Sequence, residues 1–230
     1  MLRRDVLKSL TALALVPTTG FSAEPGLQLG DAQPFSHDAL IERARKMASR
    51  PYKPRPTIPQ PWIDLSYDQY RSIWFDSRNG LFEGSDAPVR VDVFPPGLYF
   101  PQPVKVAVVE NAMARPVLFD MAVFDTTDQF PDLPIDSTLG FSGLRLRAEL
   151  NEPGIFQEYA VFQGASYFRD IGTGQNYGLS ARGLALNTGE PSGEEFPDFT
   201  EYWIERPALT FVREGFPRGS LITRRIAPRR

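Results

Sequence analysis

The chain contains few of the side chains that most often carry out catalysis. Its 230 residues include no cysteine and one histidine, His37. A metal site built from several histidines or thiolates is therefore excluded, and a Ser-His-Asp triad would have to use His37. Residues 178–183 lack the G-x-S-x-G spacing of a nucleophile elbow, and neither a G-x-G-x-x-G segment nor a phosphate loop is present. We predict no metal and no cofactor.

Carboxylates and aromatic rings make up the remaining chemical inventory. Asp and Glu together number 28, and Phe, Trp and Tyr account for 12% of the residues. Pairs of carboxylates cleave glycosidic bonds, and aromatic rings cover the apolar faces of sugars. Such side chains are common in all proteins. They indicate carbohydrate chemistry only when more specific motifs accompany them.

Length and composition bound the fold that must position these groups. A chain of 230 residues fits one large β domain, and 42% hydrophobic with 23% charged residues is typical of a folded globular protein. The 22 prolines, 18 glycines and 17 phenylalanines favour short strands joined by loops. A net charge of -3 argues against nucleic acid as a partner, because that binding needs clustered Lys and Arg. A neutral polar ligand fits better.

The N-terminus has the pattern of an export signal. Arg3 and Arg4 open a twin-arginine segment that ends at Lys8, and an apolar run follows over residues 9–16. A transmembrane anchor needs about 20 apolar residues, which is more than this run offers. We predict a signal peptide over residues 1–23, export by the twin-arginine translocon, a periplasmic location and no stable membrane insertion. The alternative is an ordinary N-terminal helix with a basic start.

A capping pattern predicts a helix after the signal. Ser36 is suited to be the N-cap of a helix over 37–48, and Phe35 is spaced to pack on Leu40. The apolar residues of this helix share one face, so that face is expected to pack on the core while the charged residues stay in water. The face consists of Leu40, Ala44, Met47 and Ala48.

A second capping box predicts another short helix. Ser66 and Gln69 have the spacing of the box, which places the helix at about 67–72. Five prolines lie between the two helices, over residues 51–61. Because proline ends helices and favours extended backbone, this segment is predicted to be an extended connector along the surface.

The hydrophobic period changes from about 3.6 to 2 after Ile73, which marks the start of strands. Alternation of apolar and polar residues is typical of a strand with one face on the core. It is present at 89–93, 104–108, 140–147, 156–162, 183–186 and 200–204. Many short strands without long helices between them predict an all-β, antiparallel sandwich and not a parallel α/β sheet.

Several ordered motifs narrow the function. They read F-Q-G-A-S-Y-F-R at 162–169, Q-N-Y-G-L-S-A-R-G-L-A-L-N-T-G at 175–189, E-E-F-P at 194–197, Y-D-Q-Y at 67–70 and L-G-F-S-G-L-R at 139–145. From about Phe35 to Pro207 these segments closely resemble the periplasmic glucans biosynthesis proteins of the MdoG/OpgG and OpgD type. The family patterns are nearly F-L-G-A-S-Y-F-R for the first motif and D-L-G-F-A-G-F-R for the last. Gln163 thus stands where the family has Leu.

The resemblance implies a large N-terminal β-sandwich of the galactose mutarotase-like or carbohydrate-binding type. In full-length members a small immunoglobulin-like domain follows it. The resemblance also implies a role in making osmoregulated periplasmic glucans, whose backbone is β-1,2-linked glucose, so β-1,2-linked glucan is the expected ligand. Some members resemble glycoside hydrolases that act on β-1,2-glucan. The twin-arginine signal is similar to that of the OpgD branch.

Six residues of the motifs are candidates for glucan contact. An aromatic ring covers a sugar face, and Arg and carboxylate groups bind sugar hydroxyls. The six are Tyr167, Arg169, Tyr177, Arg182, Glu194 and Glu195. Structural alternatives stay open, because the tyrosines could pack in the core, the arginines could pair with buried carboxylates and the glutamates could cap a turn. Three tryptophans could also stack on sugar, namely Trp62, Trp74 and Trp203, although the alternating strand around Trp203 favours a core position.

The family pattern ends at about Pro207. Residues 208–230 carry six arginines and one acid, Glu214. We therefore predict an incomplete glucan-biosynthesis sandwich over 24–207 and a basic non-family tail that reflects a truncation or a frameshift. The alternative is a genuine short variant with a basic tail. The resemblance places the family's catalytic acids beyond this point, so no catalytic residue is assigned.

Two functions remain open at this stage. An enzyme acting on glucan needs two carboxylates facing each other across a cleft, whereas a glucan-binding or assembly factor needs only aromatic rings and hydrogen-bonding groups. An inactive fragment of a β-1,2-glucan hydrolase is a further alternative.

The export signal can be tested with a reporter fused after Ala23. We expect the reporter to reach the periplasm with Arg3 and Arg4 intact and to stay in the cytoplasm in the Arg3→Lys, Arg4→Lys double variant. Lysine keeps the charge but lacks the planar donor group of arginine. The measurement is the distribution of the reporter between periplasmic and cytoplasmic fractions. Normal export of the double variant would show that the N-terminus is not a twin-arginine signal.

Overall fold

The structure, a computed structural model, describes residues 26–51, 53–128, 130–164, 166–176, 180–205 and 221–223. The predicted signal peptide, with Arg3, Arg4 and the cleavage position, lies outside the described residues. Most of the segment 208–230 also lies outside them. The predicted boundaries at 23 and 207 therefore stay predictions.

The elements are short, and strands outnumber helices. The helices are α1 (His37–Ala48), α2 (Gln60–Ile63) and α3 (Tyr67–Arg71). The first six strands are β1 (Gln33–Pro34), β2 (Ile73–Phe75), β3 (Val89–Phe94), β4 (Lys105–Glu110), β5 (Met113–Pro116) and β6 (Phe124–Thr126). The others are β7 (Gly143–Glu149), β8 (Phe156–Gln163), β9 (Tyr167–Asp170), β10 (Ser180–Arg182), β11 (Glu201–Glu205) and β12 (Leu221–Thr223). This content confirms the prediction of an all-β fold.

The strands form two five-stranded sheets and one small sheet. Sheet A has the order β1-β5-β4-β11-β12, sheet B the order β10-β9-β8-β7-β3, and the small sheet pairs β2 with β6. Every pairing is antiparallel except that of β11 with β4, which is parallel. The sequence did not predict this exception, because six strands, four of them in sheet B, lie between β4 and β11 in the chain.

The main core lies between sheets A and B. Sheet A contributes Val106, Val108, Tyr202 and Ile204, and sheet B contributes Val91, Val93, Leu144, Leu146 and Ala160. Burial of such apolar side chains supplies the main driving force for folding. A second cluster lies on the other face of sheet A, where Leu40 of α1 packs with Val109 and Trp203. Trp203 is 7% exposed, which confirms its predicted core position.

Local capping chemistry sets both predicted helices. The backbone amide of Ala39 donates to Ser36 Oγ at 3.1 Å, and Ser66 and Gln69 form the reciprocal capping box. Phe35, Ala44 and Met47 pack against the second cluster as expected. Ala48 does not join them, because it is exposed at the end of α1.

The proline-rich connector is anchored more deeply than the sequence predicts. Ile58 and Trp62 are 2% and 1% exposed, and Trp62 Nε1 donates to the carbonyl oxygen of Pro134 at 2.8 Å. The connector leads into α2, which begins at Gln60, where extended backbone was predicted. Pro61 lies in the first turn of α2, where a missing backbone N–H costs nothing, so it starts a helix instead of ending one.

The predicted strand at 183–186 is absent. Strand β10 ends at Arg182, and the amide of Gly183 donates at 2.7 Å to the carbonyl oxygen of Ser166, where the chain bends. Leu186 makes only an isolated bridge with Glu195. Leu184 and Leu186 are 37% and 39% exposed, so their alternation does not mark a face on the core.

Gly143 is required by the close approach of two strands. A Cβ atom at this position would overlap the carbonyl oxygen of Phe162 and lie 3.0 Å from the Cα atom of Gln163. Both obstacles are backbone atoms of β8, which can move only if the pairing of β7 with β8 changes. The glycine therefore allows the spacing at the centre of sheet B.

We expect Gly143→Ala to lower the free energy of unfolding by about 3 kcal/mol, because overpacking here must displace backbone. The measurement is urea unfolding followed by circular dichroism. The control is Gly172→Ala, since a Cβ at Gly172 would meet only the side-chain end of Gln175, which can move away. Equal stability of the two variants would contradict the close approach.

Candidate functional site

Charged side chains cover the outer face of sheet B, which is the face turned away from the main core. Leu144 and Leu146 of β7 point into the core, so the alternating Arg145 and Arg147 point outward. On the neighbouring β3, Asp92 lies directly opposite Arg145. The sequence predicts half-buried strands here, yet Asp92 is fully buried on the outward side.

Asp92 is held between two arginines. Its Oδ2 accepts from Arg145 Nε at 2.8 Å, and its Oδ1 accepts from Arg147 Nη2 at 2.9 Å. The Asp92 side chain is 0% exposed, whereas those of Arg145 and Arg147 are 29% and 13% exposed. A carboxylate removed from water in this way is tolerated only when charged partners and hydrogen bonds replace the water.

The pairing continues across two more strands. Glu158 of β8 lies 3.6 Å from Arg145 Nη1 and accepts at 3.0 Å from Arg169 Nη2 on β9. Positive and negative groups therefore alternate from β3 to β9. We call Asp92, Arg145, Arg147, Glu158 and Arg169 the ion-pair network.

One half of the outer face is covered by the chain itself. Arg90 of β3 is 6% exposed and donates to the carbonyl oxygens of Ser85 and Ala87. Its guanidinium also lies 4.2 Å from the centre of the Phe156 ring. The loop before β3 thus closes the β3 side of the face and leaves the β9 and β10 side open.

The open half carries an aromatic and arginine cluster. Arg182 of β10 pairs in register with Tyr167 of β9, and its guanidinium lies 5.6 Å from the Tyr167 ring and 4.7 Å from the Phe196 ring. Cation and ring attract each other at these distances. The Tyr167 hydroxyl lies 3.0 Å from Ser180 Oγ, which fixes the ring further. We call Tyr167, Arg182 and Phe196 the aromatic cluster.

A tight hairpin positions Tyr167. Gly164 and Ser166 have φ angles of +63° and +51°, a left-handed backbone that glycine adopts freely and serine rarely. The strain at Ser166 is offset because its Oγ donates to the carbonyl oxygen of Leu184 at 2.8 Å. This contact also ties the hairpin to the chain after β10. Gly164 and Ser166 of the motif therefore have a structural role.

The structure brings three of the six candidate residues together. Tyr167, Arg169 and Arg182 lie on the open half of the outer face. Arg169 also pairs with Glu158, whose side chain is 16% exposed. This pairing agrees with the alternative that Arg169 binds a largely buried carboxylate. Tyr177 lies outside the described residues. Glucan contact by these side chains stays a prediction.

The two glutamates lie in the loop after β10. Glu194 Oε1 accepts from the amide of Gly189 at 3.3 Å, which agrees with the turn-capping alternative. The backbone of Glu195 exchanges two hydrogen bonds with that of Leu186, at 2.9 and 3.0 Å. This ladder places Phe196 against Arg182.

Sequence reasoning missed most of the network and Phe196. The signal for Arg145 and Arg147 was present, because charged residues two apart in a strand share a face. The alternation V-R-V-D-V at 89–93 likewise places Arg90 and Asp92 on one face. No local signal connects Glu158 with Arg169, since their contact depends on the pairing of β8 with β9.

A neutral hydrogen-bond network joins the start of β7 to the end of β8. Gln163 Nε2 donates to Ser142 Oγ at 2.9 Å, and Ser142 Oγ and the Tyr70 hydroxyl donate to the carbonyl oxygen of Pro95 at 2.7 and 2.9 Å. Burial raises the pKa of Tyr70 to about 12, so it stays neutral and a donor. Gln163 replaces the Leu of the family pattern, and Ser142 replaces its Ala. These two departures from the pattern bond to each other.

The lone histidine lies elsewhere in the fold. His37 Nε2 lies 2.6 Å from Glu205 Oε1 on the α1 side of sheet A, away from the outer face of sheet B. In the described ranges no three His, Asp or Glu side chains are grouped so as to hold a metal ion. The same part of the chain contains no helix long and apolar enough to cross a membrane.

The sequence matches a known family over most of its length. The family model described as periplasmic glucan biosynthesis protein, MdoG, matches residues 35–212. The chain belongs to the MdoG family. This agrees with the resemblance carried by the motifs, and the match includes every residue of the ion-pair network and of the aromatic cluster.

Named relatives in the MdoG family come from several bacteria. The chain is 41% identical over 213 residues to "Glucans biosynthesis protein G" of Rhodopseudomonas palustris, a match that covers 90% of this chain and 41% of the relative. It is 46% identical over 175 residues to the protein of that name in Ralstonia nicotianae, with 76% and 35% covered. For Shewanella frigidimarina the identity is 41% over 174 residues, with 75% and 31% covered. The chain thus aligns with less than half of each relative.

We expect Asp92→Asn to lower the free energy of unfolding by about 3 to 5 kcal/mol, because Arg145 and Arg147 would keep their charge without the buried carboxylate. The measurement is thermal and urea unfolding at neutral pH. Asp132→Asn is the matched control, since Asp132 is exposed and its change is expected to stay within about 0.5 kcal/mol. A stable Asp92→Asn variant would show that the network does not support the fold.

Proposed function

We propose that the chain takes part in periplasmic glucan biosynthesis by binding glucan on the open half of the outer face of sheet B. Membership of the MdoG family and the printed names of the relatives support the biological role. Because the matches cover less than half of each relative, the activity of a whole relative is not assigned to this chain.

The aromatic cluster is the observation that carries the proposal. Arg182 lies between the rings of Tyr167 and Phe196, at an edge of sheet B that the loop before β3 does not cover. A pyranose has apolar C–H faces and a rim of hydroxyls, so it can stack on a ring while a guanidinium donates to its oxygens. The exposed Ser180 hydroxyl adds a further polar group at this edge.

The ion-pair network anchors Arg169 on this surface. Glu158 holds Arg169, and Arg145 connects Glu158 to the buried Asp92. A binding group that is already fixed by neighbours loses less conformational freedom when a ligand arrives. The buried end of the network therefore supports the exposed end that faces the ligand.

Binding is favoured over cleavage on this surface. Hydrolysis needs a proton donor and a base or nucleophile on opposite sides of the glycosidic bond. The carboxylates of Asp92 and Glu158 on the outer face already contact two arginines each. Such groups are poorly placed to give a proton to a leaving group. We therefore propose a non-catalytic glucan-binding role for the described part of the chain.

The ligand and the route to the periplasm belong to the same proposal. The family description supports a periplasmic location. The paired Arg3 and Arg4 support export by the twin-arginine translocon and a place in the OpgD branch. For the ligand we propose β-1,2-linked glucan, on the basis of the family resemblance.

Calorimetric titration with linear β-1,2-glucan tests the binding surface. We expect Tyr167→Ala and Arg182→Ala each to weaken binding about tenfold, because each removes a stacking or donor group at the open edge. The control is Arg43→Ala, since Arg43 also lies over an aromatic ring, that of Trp203, but on the α1 side of the sandwich.

A product assay on the same samples separates binding from cleavage. Unchanged chain length of the glucan together with binding supports the proposal. Shortened products would contradict the non-catalytic role, and equal affinity of Arg182→Ala and Arg43→Ala would contradict the choice of surface.

A further inference from the structure

Trp74 is an exposed tryptophan at the centre of the small sheet. Its neighbours Ile73 and Phe75 are 6% and 7% exposed and point inward, whereas Trp74 is 48% exposed. Trp62 and Trp203 are 1% and 7% exposed. Tryptophan is usually well buried because its ring removes much apolar surface from water. Of the three tryptophans, Trp74 is thus the one whose indole is open to a ligand.

Charged groups surround the indole on the same face. Asp125 of β6 lies directly opposite Trp74 in the antiparallel pairing, which puts their Cβ atoms about 5 Å apart. Asp76 follows two residues after Trp74, so it lies on the same side of the chain. Arg78 Nε donates to both oxygens of Asp76, at 2.9 and 3.0 Å.

The three charged groups form one cluster. Asp76 bonds directly to Arg78, and Asp125 is registered with Trp74, two residues before Asp76. The hydrogen bond and charge of Asp76 raise the pKa of Arg78, and the charge of Asp125 raises it further. The hydrogen bond from Arg78 lowers the pKa of Asp76. We call Trp74, Asp76, Arg78 and Asp125 the Trp74 patch.

The backbone beneath the patch is well held. The Phe75 and Phe124 rings pack edge to face with their centres 5.8 Å apart on the buried side of the small sheet. Hydrogen bonds extend the pairing beyond both strands, from Thr127 N to the carbonyl oxygen of Ser72 and from Asp76 N to that of Val123. The ring and its carboxylates are therefore presented on a fixed support.

We propose that the Trp74 patch is a second saccharide-binding site, separate from sheet B, which takes a β-linked glucose segment of the same glucan. One pyranose ring stacks on the indole, and its hydroxyls donate to Asp76 and Asp125 and accept from Arg78. The choice of glucan as the saccharide rests on the proposed function. The existence of the site rests on the geometry of the patch.

The surroundings of the indole favour a sugar over a macromolecular partner. A protein interface needs a larger apolar core than a single ring among charges. Two carboxylates beside the ring disfavour the phosphates of a nucleic acid. A pyranose matches the arrangement, because it combines a small apolar face with a rim of hydroxyls. A long glucan held at two sites would also gain affinity from its second contact.

Tryptophan fluorescence offers a direct test, because Trp74 is the one tryptophan of the chain that is substantially exposed. Acrylamide quenching of the full chain is measured with and without linear β-1,2-glucan. We expect glucan to reduce quenching, since a stacked sugar shields the ring. In Trp74→Ala the glucan-dependent change should disappear, and Trp74→Phe should retain glucan affinity between those of wild type and Trp74→Ala.

Calorimetry on the same variants gives the second readout. We expect Trp74→Ala and Asp125→Asn to weaken one binding event about tenfold. Met113→Ala is the control, because it removes another exposed apolar side chain on β5. If Trp74→Ala binds glucan as Met113→Ala does, and glucan leaves the quenching of wild type unchanged, the second site does not exist.

The proposal of a second site and the proposed function can be overturned separately. Protection of Trp74 that persists in Arg182→Ala supports the second site, whatever that variant does to calorimetry. Glucan binding that depends on Arg182 but never protects Trp74 overturns the second site and leaves the proposed function standing. Absence of any glucan binding to the wild-type chain overturns both.

Discussion

The requirement to satisfy one buried carboxylate organises sheet B. Asp92 has no exposed surface, so its charge must be met by protein groups, and Arg145 and Arg147 meet it from the next strand. Both arginines share a face only because they are two residues apart. If β3 slipped by one residue against β7, Asp92 would point toward the core while both arginines stayed on the outer face, and the ion pairs would be lost. The buried charge therefore fixes the register of the pair.

The same constraint connects the fold to the candidate site. Arg145 contacts both Asp92 and Glu158, and Glu158 holds Arg169 on β9. The ion pairs thus run from the buried Asp92 to Arg169, whose guanidinium they orient near the open edge. The aromatic cluster on β9 and β10 is supported differently, through the Ser166 hairpin and the loop that carries Phe196. Two independent supports meet at one surface.

The sequence predicted correctly those features that neighbouring residues determine. The caps at Ser36 and Ser66, the strands around 89–93 and 156–162, and the core position of Trp203 follow from neighbouring residues. What the sequence did not predict depends on distant contacts or on position within an element. Pro61 starts α2 because it falls in the first turn, the apolar residues after Gly183 do not reach the core, and Glu158 meets Arg169 only through strand pairing. The motifs identified Tyr167, Arg169 and Arg182. The residues that support them could be identified only from the strand pairing in the structure.

The parallel pairing of β11 with β4 has a consequence for how the protein acquires its structure. Glu201 is registered with Lys105, so the centre of sheet A joins segments that are far apart in the chain. Closing so long a loop costs entropy before any contact repays it, and folds of this kind form slowly. During synthesis β4 waits with one edge unpaired until β11 has left the ribosome. A transport route that accepts only folded cargo would therefore act on this protein only after β11 has been synthesised.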